Sequence, residues 1–111
     1  MMMTLYNIEI PSSAVKNNLE RICNQIFKLL PMREEGKDCE KPIETLVIEL
    51  LGLSSLLVDY QELLLSLVSK LEGIRKGSEE LDFMLFRRSI FEACSLTNSI
   101  IREIEGAEKC Q

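Results

Sequence analysis

The feature of the sequence that most constrains its fold is a heptad seam in the middle of the chain. Apolar side chains recur there at alternating steps of four and three: Leu46, Leu50, Leu53, Leu57, Tyr60, Leu64, Leu67, Leu71 and Ile74. This spacing places them on one face of an α-helix. A second apolar stripe runs beside the seam: Ile43, Val47, Leu51, Val58, Leu65 and Val68. Because the apolar face is wide, a helix over this segment must contact neighbours on two sides.

Two features interrupt the seam without shifting its register. Gly52 weakens a helix locally, and the spacing of Asp59 and Glu62 resembles a capping box. Since the periodicity passes both sites unchanged, the sequence predicts one continuous helix over residues 42–75, and the alternative is two helices divided near residue 58. Acidic and basic residues occur in every window long enough to cross a bilayer, which argues against a membrane-spanning helix.

The flanking segments follow from helical periodicity and from start and stop signals. We predict an arm over residues 1–11, a helix over 12–30, a charged loop over 31–41, a helix over 78–105 and a frayed tail over 106–111. Pro31 is expected to end the first helix, and Gly106 the last. The short connections favour a single all-α domain, an antiparallel three-helix bundle with a long central helix, or a four-helix bundle if that helix breaks.

Composition excludes several classes of function. The 111 residues contain no His, the usual general base and the commonest metal ligand. A net charge of -5 argues against direct binding to nucleic acid. The first ten residues lack the pattern of a signal peptide, which predicts a cytoplasmic protein.

The four cysteines form no C-x-x-C pair and suggest neither a zinc site nor a redox motif. Cys23 and Cys94 lie in phase with apolar neighbours and are predicted to be core residues, whereas Cys39 and Cys110 stand in polar segments and are predicted to be exposed. We predict no catalytic residue, no metal ligand and no cofactor.

Two acidic clusters offer an enzymatic alternative. Glu34, Glu35 and Asp38 form the first, and Glu79, Glu80 and Asp82 form the second. Carboxylates of this kind bind Mg²⁺, and the pair is similar to the motifs of the all-α nucleotide pyrophosphatase family, which implies a magnesium-dependent pyrophosphohydrolase. The first cluster departs from that pattern because it contains Gly36 and ends in Asp. Solvated helix ends account for both clusters without a metal.

The remaining candidates are surfaces. Arg87 and Arg88 are adjacent cations suited to an anion, or to ion pairs within the helix. We predict a contact surface that combines this pair with the charged loop: Arg33, Glu34, Glu35, Lys37, Asp38, Glu40, Arg87 and Arg88. An apolar strip left uncovered on the central helix would serve a protein partner or a second copy of the chain, unless the arm covers it through Leu5, Ile8 and Ile10. A self-assembling structural protein is a further alternative.

The segments 31–46 and 86–92 resemble those of small acidic helical proteins encoded by phages and prophages of Gram-positive bacteria. Some proteins of that kind are anti-CRISPR or other anti-defence inhibitors. The resemblance implies a non-catalytic inhibitor that binds a host defence effector stoichiometrically in the bacterial cytoplasm.

Overall fold

The computed structural model describes residues 2–3, 9–57, 59–77 and 82–109. Within these residues the chain forms two very short strands and five helices: β1 (Met2–Met3), β2 (Glu9–Ile10), α1 (Ser12–Phe27), α2 (Leu29–Glu34), α3 (Glu40–Leu56), α4 (Gln61–Gly77) and α5 (Phe83–Lys109). The prediction of an all-α class is confirmed. No helix in the described ranges combines the length and apolar character needed to cross a membrane.

The four long helices lie as antiparallel neighbours. Contacts join α1 to α5, α5 to α4, and α4 to α3, and an ion pair between Arg21 and Glu49 closes the ring between α1 and α3. Lys16 pairs with Glu105, so the start of α1 lies beside the end of α5. The result is an up-down-up-down bundle, with α2 as a one-turn extension of α1. The loop end is defined here as the end formed by α2, residues 35–39, the starts of α3 and α5, and the end of α4.

The central segment is two helices, so the prediction of one continuous helix over 42–75 was wrong, and the alternative of a break near residue 58 was right. α3 ends at Leu56, and Leu57 is extended, with φ -91° and ψ 122°. The side chain of Gln61 donates a hydrogen bond to the backbone oxygen of Ser54 (3.0 Å), which satisfies a carbonyl that the end of α3 leaves without a helical partner. The break lets each half of the seam bury itself against the other, whereas a single rod would leave much of it in water.

The seam forms the centre of the core despite this break. Leu50, Leu64, Leu67 and Leu71 are at most 1% exposed. Leu53 and Tyr60 are half-buried against the same core. Of the second stripe, Val47 and Val68 are buried, while Leu51 and Leu65 stay largely exposed; Val58 lies outside the described residues. Apolar surface on α3 and α4 therefore remains in contact with solvent.

The first predicted helix also has different bounds. It ends at Phe27, and Pro31 lies inside α2 instead of ending a helix. Proline is tolerated there because the first backbone N–H groups of a helix have no intrahelical acceptor. α2 closes with a Schellman motif, in which Gly36, at φ 76°, lets the Lys37 N–H donate to the Met32 carbonyl (2.9 Å). The predicted charged loop over 31–41 shrinks to residues 35–39.

The last helix and the N-terminal arm also differ from the predictions. α5 is described from Phe83, where the Asp82 carboxylate accepts a hydrogen bond from the Leu85 N–H (3.0 Å), and residues 78–81 lie outside the described ranges. Gly106 does not end the helix, which continues to Lys109. A glycine inside a helix costs only about 1 kcal/mol, so a single glycine does not by itself end a helix. In the arm, Met2 pairs with Ile10 in an antiparallel register; Leu5 and Ile8 are not among the described residues.

Candidate functional site

The residues predicted as a contact surface all lie at the loop end. Arg33 and Glu34 belong to α2, Glu40 opens α3, and Arg87 and Arg88 lie near the start of α5. Glu35, Lys37 and Asp38 occupy the connection between α2 and α3. The guanidinium of Arg33 lies over the ring of Phe86, 4.7 Å from its centroid, which ties α2 to α5. The fold thus places segments about fifty residues apart in sequence at one end of the bundle.

Several of the charges at this end form local ion pairs. Lys37 pairs with Glu35 (3.0 Å), Arg88 with Glu92 (3.2 Å), and Arg75 of α4 with Glu40 (3.4 Å). A hydrogen bond from Arg75 to Glu72 raises the pKa of Arg75, and one from Lys70 lowers the pKa of Glu92. Exposed pairs of this kind add little stability, so the charges are available to a partner at small cost.

The structure describes only part of the acidic motifs behind the enzymatic alternative. The Asp38 carboxylate accepts a hydrogen bond from the Glu40 N–H (2.9 Å). In the part of the chain that the structure describes, no group of three or more His, Cys, Asp or Glu residues is placed to hold a metal ion. Glu79 and Glu80 lie outside that part.

Two phenylalanines and an arginine form a surface feature that the sequence did not reveal. The rings of Phe27 and Phe91 meet edge to face, with centroids 5.6 Å apart and planes at 72°. The Arg87 guanidinium lies over the Phe91 ring, 4.8 Å from its centroid. Phe27 is 37% and Phe91 40% exposed. Phe27, Phe91 and Arg87 are called the aromatic patch below.

Helical periodicity alone places both phenylalanines beside apolar neighbours on their helices. One signal pointed the other way: Phe27 directly follows Ile26, and successive residues of a helix point about 100° apart. Ile26 is fully buried, so Phe27 is turned toward the edge of the core. The pairing of Phe27 with Phe91 depends on the packing of α1 against α5 and has no local signature.

A pocket opens between α1, α2 and α3. Its volume is about 240 Å³, and its lining residues are Gln25, Lys28, Leu29, Met32, Pro42, Thr45 and Leu46. Leu29 and Leu46 are buried in the core and form its floor. This cavity is called the α1–α3 pocket below.

The described cysteines are buried. Cys23 and Cys94 are core residues as predicted, but the prediction of an exposed Cys39 was wrong: it is 3% exposed, and its thiol donates to the Leu29 carbonyl (3.7 Å). Cys39 is covered because α2 folds back onto the core, and no local sequence pattern predicts this. Cys110 lies outside the described residues. Burial raises the pKa of Cys39, and burial together with the neighbouring Cys23 raises the pKa of Cys94 to about 12, so both sulfurs are protonated and weakly nucleophilic at neutral pH.

The raised pKa of the Cys94 thiol predicts that the protein loses stability at alkaline pH. The folded state holds the thiol proton up to a pKa of about 12, whereas the unfolded chain releases it near the ordinary value of 9.0. The contribution of the protonated Cys94 thiol to the free energy of unfolding is fully present below about pH 9. It decreases as the pH rises above that value, by up to about 1.4 kcal/mol per pH unit. Urea unfolding of the wild type and of Cys94→Ala between pH 8 and pH 11 measures this, because titrating groups that do not interact with Cys94 contribute equally to both. Parallel curves for the two proteins would contradict the prediction.

No protein-family model matches the chain, and the comparisons with curated proteins and with solved structures find no significant match.

Proposed function

We propose that this chain is a non-catalytic protein-interaction module that binds its partner through the loop end and the aromatic patch. The observation that carries the proposal is the patch itself. Of four Phe residues, and with no Trp in the chain, two Phe stand at the surface in contact with each other and with an arginine. Exposing aromatic surface to water is unfavourable, so a partner that covers the rings gains binding free energy.

The composition of the patch suits a binding hot spot. Aromatic residues and arginine are enriched at the centres of protein interfaces. The contact of Arg87 with Phe91 and of Phe91 with Phe27 restrains all three side chains before binding, which reduces the entropy lost on association. Met84 lies on the same helix one turn before Arg87 and is 66% exposed, so it extends the apolar area.

The surrounding charges complete the surface. Glu34, Glu35, Lys37 and Asp38 are exposed at the loop end. Charges at the rim of an interface guide the encounter and select among partners more than they add affinity. We place the aromatic patch, Arg87 included, in the anchoring role and the other predicted contact residues in this steering role.

The partner we propose is a bacterial defence effector, bound stoichiometrically in the cytoplasm. The resemblance of residues 31–46 and 86–92 to small phage-encoded helical proteins supports this choice. An inhibitor of this kind acts by covering a surface of its target and requires no active site.

The test compares two double variants with the wild type. Phe27→Ala with Phe91→Ala removes the rings, and Ile48→Ala with Leu51→Ala removes comparable exposed apolar surface from α3, across the bundle from α5. Affinity capture from a Gram-positive host lysate, with quantitative mass spectrometry, identifies the partner, and calorimetry measures binding to it. We expect the aromatic variant to bind about 30-fold more weakly and the α3 variant to bind like the wild type.

Two results would overturn this function. The first is the absence of any protein captured at stoichiometric level, and the second is a captured protein that binds the wild type and the aromatic variant equally. Light scattering on the same samples identifies the remaining case: a dimer that dissociates in the aromatic variant would make the partner a second copy of this chain and would rule out the defence effector.

A further inference from the structure

We propose that the α1–α3 pocket is an anchor site for an acidic peptide segment of the partner, and that it receives one large apolar side chain from that segment. The inference rests on the proposed function and adds to it the chemistry of the segment recognised.

The shape of the pocket favours a single side chain. At about 240 Å³ it is smaller than the roughly 300–1,000 Å³ of small-molecule sites. Leu29 and Leu46 close its floor, and the half-buried Met32 and Pro42 form apolar walls. Methionine adapts its shape to the group that it contacts, so Met32 can close around a leucine or a phenylalanine.

The charge at the mouth of the pocket favours acidic flanking residues. Lys28 is the one charged residue among the described residues that line it, and Lys41 lies one helical turn before Thr45 on α3. Neither lysine forms an ion pair with a residue that the structure describes. In a chain of net charge -5, two such cations beside an apolar cavity attract carboxylates.

The acidic residues of α3 interact with arginines and form no ion pair with the lysines at the mouth. Glu40 and Glu44 both act on Arg75 of α4, on the opposite side of α3 from the pocket. Glu49 is held by Arg21. The positive charge of Lys28 is therefore not neutralised by its own chain at the place where a ligand would enter.

The pocket and the aromatic patch both include residues at the end of α1. Phe27 belongs to the patch and Lys28 to the pocket, and these two consecutive residues at the end of α1 point in different directions. A single partner that covers the end of α1 contacts both surfaces. The pocket then provides an apolar anchor with acidic selectivity, and the patch provides the larger contact area.

The test uses defined peptides and the full chain with labelled leucine and methionine methyl groups, observed by NMR. The probe is a capped heptapeptide with a central leucine and three acidic residues on each side. We expect saturable shifts of the Leu29, Met32 and Leu46 methyl signals with this peptide. A peptide with alanine at the centre, and one with lysines as flanks, should leave these signals in place.

Three variants locate the binding. Lys28→Glu reverses the charge at the mouth of the pocket, and Thr45→Trp fills the mouth from an exposed helix position. Each variant should bind the peptide about tenfold more weakly, or weaker still. Lys76→Glu makes the same charge change at an exposed position on α4 and should bind like the wild type. Circular dichroism confirms that each variant is folded.

Three results would overturn the inference: no shift of these methyl signals with the acidic leucine peptide, equal shifts with the lysine-flanked peptide, or equal shifts with the alanine-centred peptide. The proposed function is judged separately, because partner binding that depends on Phe27 and Phe91 would survive an empty pocket.

Discussion

Truncation of Phe86 to alanine should lower the free energy of unfolding by about 3–5 kcal/mol. Phe86 is fully buried in α5 and is among the largest buried side chains. Its removal leaves a cavity that the backbone of a long helix cannot close, and it also removes the ring on which the Arg33 guanidinium rests. Urea denaturation followed by far-UV circular dichroism measures the change.

The matched control is Met84→Ala, two residues earlier in the same helix. Met84 is 66% exposed, so its truncation should change the free energy of unfolding by no more than about 0.5 kcal/mol. A loss below about 1 kcal/mol for Phe86→Ala would contradict the placement of this ring at the contact between α2 and α5.

Leu67→Ala should lower the free energy of unfolding by about 2–5 kcal/mol. Leu67 belongs to the heptad seam, is fully buried in α4, and lies in the core shared by the long helices. Its truncation removes buried apolar contacts from tightly packed neighbours, which relax only in part. Urea denaturation again measures the effect.

Leu65→Ala provides the comparison, because it makes the same chemical change two residues away. Leu65 is 44% exposed, so we expect a loss of less than about 1 kcal/mol. Equal losses for the two leucines in the monomer would mean that the seam does not face the core. A loss at Leu65 that grows with protein concentration would indicate that a second copy covers it.

The helices and the core were predictable because both depend on local spacing. The seam from Leu46 to Ile74, the burial of Cys23 and Cys94, and the all-α class all follow from a periodicity of about 3.6 residues. The same periodicity does not state how far a helix continues. Pro31 and Gly106 were expected to end helices, and both lie within helices in the structure.

The candidate site was predicted less completely than the core. The charged residues of the loop end, such as Arg33 and Glu40, were expected to form a surface, and the fold places them at one end of the bundle. The aromatic patch and the α1–α3 pocket were not expected, since each combines residues from helices that are distant in sequence. Burial of Cys39 was missed for the same reason.

By itself, the sequence determined where the main helical segments lie and which of their faces are apolar, because amphipathic spacing acts over one or two turns. Only the tertiary structure decided that the seam divides between Leu56 and Gln61. The heptad spacing of the seam is the same whether the segment forms one long helix or two helices joined by a turn. The choice depends on how much apolar surface the two halves bury against each other and against α1 and α5, and that gain exists only once the bundle has formed.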